Sequence, residues 1–405
     1  MSGSAETPRR QWKGIGRGEL GFAAVVVLAY VIVAVVSAQY RHDGVDRMMI
    51  VAQRVLAGQL DSPALAHTVD TAEYAGRYYI AVGPLQILAY LPFAAIPALQ
   101  SNGGYLAALV VGIATAWLSL PLARAYGAKG STAYWIAALT SFGTLLFYTA
   151  VVGNFYYLAH VESFLALVLF LIEWAGRRRP AVLGAALAFS FLARPTTLLA
   201  AIPFAIAMLW QRRDSVRELA VAAVGFALPV ALALILYGWY DWVRFGSPLQ
   251  AGYALTYLPQ PGLAARRALG VFSIQQVPEN LRLALLTPFH TIGKFPFIQA
   301  DPYGLSMALV SPALFTALWA GFRNRGAQMM WIAAALVAIP VFLYYGGGYV
   351  QYGFRYSLDF TPFLVVLVAI GSSRWNSPLE RLLIVASIAS VTYGVFWWGN
   401  FELIK

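Results

Sequence analysis

Long apolar runs dominate this sequence and restrict what it can fold into. From Leu20 to Ala38 the chain is almost uninterruptedly apolar, and a helix needs about 20 such residues to cross a bilayer. Further apolar stretches lie near residues 83–100, 105–123, 132–152, 158–174, 181–210, 219–238, 304–322, 328–345, 360–372 and 382–398. The sequence therefore predicts an all-α fold, a polytopic transmembrane bundle of about ten to thirteen helices, some of them short.

Charged residues are scarce and mostly basic. Of the 405 residues, 60% are hydrophobic and 11% are charged, whereas soluble domains carry about 25% charged residues. In so apolar a chain, a formal net charge of +11 indicates orientation in a membrane, and no nucleic-acid partner is expected. Because the sequence contains no cysteine, disulfides, thiolate metal ligands and a cysteine nucleophile are excluded.

Basic clusters predict which ends of the helices face the cytoplasm. Residues 1–19 form a basic tail before the first span, so the N-terminus is expected in the cytoplasm. The alternative is a cleaved signal peptide, because Val36-Ser37-Ala38 resembles a cleavage site, although the apolar run is long for one. The later cytoplasmic clusters are expected at Arg177-Arg178-Arg179, Arg212-Arg213, Arg323/Arg325 and Arg374/Arg381.

Residues 20–405 are predicted to form one membrane domain, because no internal repeat or flexible linker divides them. Its external loops are expected at about 39–82, 240–303 and 346–359. The stretch 181–210 lies between two basic clusters, so it is predicted to form two short helices meeting near Arg194-Pro195. Five candidate spans separate the N-terminus from Arg177. An odd number would place these two basic segments on opposite faces of the membrane, although both are expected in the cytoplasm. One of the five is therefore expected to be split or re-entrant.

The first external loop carries two carboxylates, Asp43 and Asp46, together with His42. Apolar residues at helical spacing from Met48 to Leu56 then predict an amphipathic helix at the membrane surface. A carboxylate at the edge of such a helix could act as a general base on a lipid-linked substrate. The alternative is a set of solvated loop charges.

Further polar residues near the membrane surface are candidates for a binding site. Those that could line it are Tyr78, Tyr79, His160, Glu162, Tyr349, Gln351, Tyr352 and Asp359, and those with cationic groups suited to a phosphate are Arg194, His290, Lys294 and Arg355. Simpler interpretations remain: Tyr78 and Tyr79 as interfacial aromatic residues, Arg194 as a snorkelling side chain, and Arg355 paired with Asp359 one helical turn away.

Motifs for nucleotide or metal chemistry are missing from the sequence. It has no P-loop, and its four histidines do not occur in a paired spacing. No metal site is therefore predicted, although a divalent ion held by Asp43, Asp46 and Glu162 stays open.

Five segments in this order carry a family resemblance: Asp43/Asp46 after the first span, Leu56–Leu60, Tyr78–Leu85, Ala193-Arg194-Pro195 and Gln351–Phe360. Together they resemble the GT-C superfamily of integral-membrane glycosyltransferases, among them protein mannosyltransferases and aminoarabinose transferase-like enzymes. The resemblance extends from about Gly21 to Phe363 and lies in the pattern of features.

The resemblance implies transfer of a sugar from a polyprenyl-phosphate donor to an acceptor hydroxyl, with inversion, at the external face of the inner (cytoplasmic) membrane. The family's base is an acidic residue of the first external loop, which corresponds here to Asp43 or Asp46; Asp43 is preferred because it adjoins His42. The tandem acidic pair of some members is absent, which leaves metal dependence open. The acceptor would be a glycan, a lipid or a protein.

Two other functions compete with this one. The first is a flippase or transporter of lipid-linked sugars, which would need charged groups at mid-membrane depth and usually repeated halves. The second is a non-catalytic membrane scaffold in envelope glycan assembly.

Overall fold

The computed structural model describes residues 16–38, 46–375 and 377–399, and this part of the chain is mostly helical. The α-helices are α1 Arg17–Ala38, α2 Arg47–Leu56, α3 Pro84–Ala94, α4 Gly103–Ala125, α5 Gly130–Phe142, α6 Leu145–Val152, α7 Phe155–Ala175, α8 Pro180–Ala193, α9 Ala201–Trp210, α10 Val216–Phe245, α11 Pro261–Ala268, α12 Val277–Leu285, α13 Met307–Val310, α14 Arg325–Leu343, α15 Thr361–Trp375 and α16 Pro378–Gly399. The strands are β1 Thr71–Tyr74, β2 Arg77–Ile80, β3 His290–Thr291 and β4 Ile298–Gln299, paired as two antiparallel hairpins.

Short 3₁₀ helices connect these elements. They are Pro63–Leu65, Pro97–Asn102, Pro195–Ala200, Tyr253–Leu255, Ile274–Gln276, Pro312–Ala320 and Arg355–Asp359. Four of the seven begin with proline, at Pro63, Pro97, Pro195 and Pro312, a position where the missing N–H costs nothing.

Within the described residues, six helices are long and apolar enough to cross a membrane: α1, Pro97–Ala125 (which contains α4), α7, α10, α14 and Pro378–Trp397 in α16. The α5 and α6 helices together make a seventh candidate span, bent by 44° at their junction. Four shorter apolar segments also occur, Pro84–Ala94, Pro180–Ala193, Pro195–Trp210 and Thr361–Ser373. The predicted polytopic helical bundle is therefore confirmed.

The lengths of α3 and of the α5/α6 pair bear on the odd number of candidate spans between the N-terminus and Arg177. Helix α3 has 11 residues, and at about 1.5 Å per residue it is too short to cross a hydrocarbon core of about 30 Å. With α3 not crossing, α1, α4, the bent α5/α6 pair and α7 give an even number of spans between the N-terminus and Arg177. A short α3 that does not cross would therefore remove the conflict between the odd span count and the basic clusters.

Burial separates the central helices from the peripheral ones. Most residues of the α7 window are buried, whereas α1 and α10 expose long apolar side chains such as Leu28, Ile32 and Leu232. Helix α7 packs against α4 and α8, and α8 packs against α10. Apolar side chains on the outside are favourable where lipid replaces water, so α1 and α10 lie at the edge of the bundle.

Two predicted spans differ from regular helices. The stretch 181–210 is divided as expected, because α8 ends at Ala193 and a 3₁₀ turn begins at Pro195. The stretch 304–322 was expected to be a helix but contains only the four-residue α13 followed by the 3₁₀ helix Pro312–Ala320. Pro312 has no backbone N–H to continue α13, which explains the break.

Three connecting segments, residues 46–83, 246–306 and 344–359, meet at one end of the bundle, here called the loop-rich end. Isolated β-bridges join them at Ala72 and Thr256, at Phe272 and Tyr344, and at Leu305 and Gly353. The predicted amphipathic helix is present here as α2, which buries Met48, Met49, Val51 and Ala52. These contacts close a cavity between the loops and the helices.

Candidate active site

A cavity of about 1000 Å³ lies at the loop-rich end, at the upper end of the usual range of about 300–1,000 Å³ for ligand pockets. Part of its wall is apolar, with Val82, Pro340 and Val341, and part is charged. The charged residues that line it are Asp70, Arg194, Arg266, Glu279, Arg282 and Arg355. An amphipathic ligand with a charged end would match such a wall.

The start of α7 places several side chains in the cavity. Asn154 caps the helix by accepting a hydrogen bond from the Tyr157 N–H (3.1 Å). The first two turns then present Phe155, Tyr156 and His160 to the cavity. The polar residues at the start of this span therefore line the cavity. Facing lipid in the same span would be costly for them.

Arg194 faces the cavity from the break between α8 and the 3₁₀ turn at Pro195. Its guanidinium group donates hydrogen bonds to both carboxylate oxygens of Asp359, from Nε at 3.1 Å and 3.1 Å and from Nη2 at 2.9 Å. The close approach of the re-entering chain requires glycine at Gly83, where a Cβ would lie 2.3 Å from the Leu192 carbonyl oxygen. The start of α3 therefore packs against the end of α8, next to Arg194.

Asp359 is the buried partner of Arg194, behind the cavity wall. It is fully buried, and His160 Nδ1 and Thr196 Oγ1 each lie 2.9 Å from its carboxylate oxygens. Burial raises the pKa of Asp359, but the attraction of Arg194 and His160 outweighs burial and holds the pKa well below its usual range. The carboxylate is therefore ionised and fixes the orientation of Arg194.

Replacing Asp359 by Asn should destabilise the protein by about 3 kcal/mol, because it leaves the Arg194 charge without its counter-ion. Thermal unfolding of the purified protein in detergent measures the effect. Asp214→Asn is the control, since the Asp214 side chain is 94% exposed, and it should shift the midpoint little. Equal midpoints for the two variants would contradict the structural role of Asp359.

Arg355 lines the cavity. Within the described residues it has no carboxylate partner and forms no ion pair. Its Nη1 donates to Gln351 Oε1 (2.7 Å), and its Nε has no hydrogen-bond partner in the described part of the chain. Gln351 is fixed in turn, because its Nε2 donates to the carbonyl oxygens of Tyr303 (2.7 Å) and Gly347 (2.9 Å). Arg355 is thus an oriented cation with donors left over.

Tyr356 separates Arg355 from Arg194. Its ring centroid lies 4.9 Å from the guanidinium carbon of Arg355 and 5.3 Å from that of Arg194. A ring face attracts cations, so the tyrosine holds two like charges in one wall of the cavity. The glycine-rich turn beside them needs glycine at position 348. The φ of Gly348 is +83°, and a Cβ there would lie 2.4 Å from Gln351 Oε1.

Arg266, on α11, is a second cavity arginine without a carboxylate partner in the described ranges. It donates to the amide oxygens of Gln276 and Asn280, both at 2.9 Å. Neutral amides orient a guanidinium group without cancelling its charge. Arg282 differs, because it pairs with Glu279 at 2.8 Å and both side chains are more than two-fifths exposed.

Asp70 is the carboxylate that faces the cavity from the first loop. Its φ is +63°, a conformation in which Asp and Asn are enriched. Tyr156 donates a hydrogen bond to Asp70 Oδ2 (2.8 Å), and Arg47 donates to the same tyrosine hydroxyl and to the Val69 carbonyl. The loop that carries Asp70 is therefore tied to the start of α7.

Asp46 has a different position from the one expected of a base. Its carboxylate caps α2 through the Met48 N–H (3.0 Å) and accepts a hydrogen bond from Tyr90 (2.9 Å). Burial raises the pKa of Asp46, and the hydrogen bonds from Tyr90 and Met48 oppose that shift. It does not line the cavity. Asp43 and His42 lie outside the described residues.

The other residues singled out in the sequence divide into two groups. His160 and Tyr349 line the cavity, and Gln351 and Asp359 lie directly behind it as partners of Arg355 and Arg194. Those that do not line it are Tyr78, Tyr79, Glu162, His290, Lys294 and Tyr352. Lys294 is exposed near the β3–β4 hairpin and His290 bonds to Asp301 (3.0 Å), so the expectation that both join Arg194 and Arg355 in one cavity does not hold.

Two of the outlying residues have clear packing roles. Tyr79 packs its ring 5.3 Å from Phe245, and Tyr352 lies 2.9 Å from Ser390 Oγ. Both oxygens of Glu162 are buried within α7 without a hydrogen-bond partner among the described residues. In residues 16–38, 46–375 and 377–399, no group of three or more His, Asp or Glu side chains is arranged to hold a metal ion.

Sequence reasoning missed Asp70, Arg266, Tyr156 and Tyr356 as lining residues. Asp70 lies in the first external loop without a motif around it, and Arg266 lies in the second external loop without a clear hydrophobic period. The signal that could have found Arg266 is the adjacent basic pair Arg266-Arg267, which lies in the last turn of α11.

Comparison with known proteins identifies the fold. No protein-family model matches the sequence, and no curated protein is significantly similar to it. Two solved structures of ArnT from Cupriavidus metallidurans, one bound to undecaprenyl phosphate and one in the apo state, are similar at a TM-score of 0.51 and 16% identity. Each match covers 89% of this chain and 61% of ArnT, so the chain spans about three fifths of ArnT's length. The chain therefore shares the fold of these ArnT structures, and the fold that the sequence resemblance implies is confirmed.

Proposed function

We propose that this protein is a membrane glycosyltransferase that transfers a sugar from a polyprenyl-phosphate donor to an acceptor hydroxyl. The observation that carries the proposal is the pair of oriented arginines, Arg355 and Arg266, that line one cavity without carboxylate partners among the described residues. A desolvated cation without a counter-ion is costly, and a phosphate group offsets that cost through paired N–H···O bonds.

The shape of the cavity supports an amphipathic donor. Its apolar wall of Val82, Pro340 and Val341 adjoins the charged one, as a polyprenyl chain ending in a phosphate would require. ArnT, which shares the fold, is bound to undecaprenyl phosphate in one of its structures. Both observations support a polyprenyl-phosphate donor.

The proposed reaction uses the charges at the ends of the breaking bond. Positive charge develops at the anomeric carbon and negative charge on the departing phosphate, so Arg355, with Arg194 beside it, stabilises the leaving group. A carboxylate of the first loop takes the proton of the acceptor hydroxyl. Asp70 is the candidate that lines the cavity, and Asp43 is the candidate that the family resemblance supplies. One base without a carboxylate nucleophile implies inversion, by analogy with inverting glycosidases.

The proposal includes a location. With the basic clusters on the cytoplasmic side, the loop-rich end lies at the external face of the inner membrane. Charged groups gathered at this end favour a transferase over a flippase, which would need them at mid-membrane depth.

Binding of undecaprenyl phosphate tests the donor assignment. The purified protein in nanodiscs should be stabilised against thermal unfolding by undecaprenyl phosphate, and undecaprenol, which lacks only the phosphate, should stabilise it far less. Stabilisation by ligand follows its affinity for the folded state. Equal effects of the two lipids would refute a phosphate site.

A further inference from the structure

A second, smaller pocket of about 310 Å³ lies beside the main cavity. It is lined mainly by polar and aromatic side chains: His67, Thr71, Glu73, Tyr78, Tyr257 and Arg267. We call it the side pocket. Its volume is at the lower end of the range of about 300–1,000 Å³ for ligand pockets, and it has no long apolar wall for a lipid chain.

The side pocket and the main cavity share one wall. Thr256 lines both, and it forms a β-bridge with Ala72 of β1. Asp70 faces the main cavity while the next residue, Thr71, faces the side pocket. The backbone fixes this wall, because the Asp70 N–H donates to Tyr257 O (3.1 Å) and the Tyr257 N–H donates to Thr71 O (2.8 Å).

The charged groups of the side pocket are available to a ligand. Arg267 donates from Nη1 to Thr256 Oγ1 (2.9 Å) and to the Thr256 carbonyl, which fixes its orientation. Glu73 and Arg267 do not pair with each other, and neither forms an ion pair within the described residues. A carboxylate and a guanidinium group that line one pocket can accept from and donate to the hydroxyls of a ligand.

Aromatic rings complete the lining. The His67 ring lies 5.8 Å from the Tyr78 ring and 6.4 Å from the Tyr257 ring, both edge to face. Such rings offer an apolar surface with polar edges. Hydroxyl-binding charges together with aromatic surface suit a polyhydroxylated ring.

We propose that the side pocket binds a sugar unit of a glycan acceptor, next to the residue before β1, Asp70, which lines the main cavity. The inference rests on the proposed function, because it places the second substrate beside the donor's cavity. The donor's phosphate would lie with Arg355, and the acceptor would approach from the side pocket across the shared wall.

Saturation-transfer NMR on the full-length protein in nanodiscs tests this, with methyl glucoside, methyl mannoside and methyl galactoside as probes. We expect at least one glycoside to receive saturation from the wild-type protein. Glu73→Gln and Tyr257→Ala should each weaken that binding by about tenfold, as expected for loss of a charged hydrogen bond or of aromatic contact. Arg77→Gln, on β2 of the same hairpin but in neither cavity, should bind as the wild type does.

Undecaprenyl phosphate affinity, measured on the same samples, separates this proposal from the proposed function. If the lipid binds but no glycoside does, or if glycosides bind the Glu73 and Tyr257 variants as well as the wild type, the side-pocket proposal is overturned and the donor site stands. If the lipid does not bind the wild type, the proposed function fails whatever the glycosides do.

Discussion

Replacing Arg355 by Gln should weaken undecaprenyl phosphate binding and lower turnover by about 100-fold or more, the cost of removing one preorganised donor to a developing charge. Arg355 is the cavity arginine whose Nε has no hydrogen-bond partner in the described ranges. Gln keeps a polar side chain beside Gln351 but has neither the charge nor the planar fork. Affinity is measured by titration in nanodiscs, and turnover as release of undecaprenyl phosphate from a panel of its sugar derivatives.

Two controls make this result specific to Arg355. Arg355→Lys keeps the charge and should recover only part of the affinity, because an ammonium group cannot make the bidentate contact. Arg77→Gln removes an arginine that lies outside the cavity and should change neither quantity. Wild-type affinity in a folded Arg355→Gln protein would remove Arg355 from the donor site.

Replacing Asp70 by Asn should lower turnover by about 10²–10⁴-fold and leave undecaprenyl phosphate affinity unchanged, because a general base acts on the acceptor and not on the lipid. The substitution preserves shape, and Asn tolerates the φ of +63° at this position. Tyr156 can still donate its hydrogen bond to the amide oxygen. The fold should therefore survive, as thermal unfolding would show.

Asp43→Asn and Asp46→Asn complete the comparison. Asp46 caps α2 and accepts from Tyr90 outside the cavity, so we expect its variant to keep turnover within a few-fold while losing some stability. Full turnover in Asp70→Asn with none in Asp43→Asn would return the base to Asp43. Full turnover in both would contradict a first-loop carboxylate as the base.

The helical architecture was predictable because lipid imposes it. Segments such as Leu20–Ala38 leave no other way to satisfy the backbone, and the amphipathic spacing from Met48 onward predicted α2. The break at Arg194-Pro195 was also predictable, since proline cannot continue α8. Hydrophobic spacing and the missing N–H of proline are properties of neighbouring residues, so they can be recognised in the sequence.

The site was only partly predictable, because it depends on contacts between distant segments. Arg194 and Asp359, 165 positions apart, pair in the structure, whereas the only partner for Asp359 that the sequence offered, as an alternative interpretation, was Arg355. Lys294 and Arg266 look alike as loop cations, and only the fold shows that Arg266 faces the cavity while Lys294 is exposed elsewhere. Asp46 was a candidate base in the sequence, but it caps α2 and bonds to Tyr90, whereas Asp70 lines the cavity beside Tyr156.

A structure of the protein in nanodiscs with undecaprenyl phosphate tests the central claim most directly. The account predicts the lipid phosphate in the main cavity, with an oxygen at a hydrogen-bond distance of about 2.7–3.2 Å from the guanidinium group of Arg355 and the prenyl chain against Val82 and Val341. A phosphate bound outside that cavity, with Arg355 left without an anion, would contradict it.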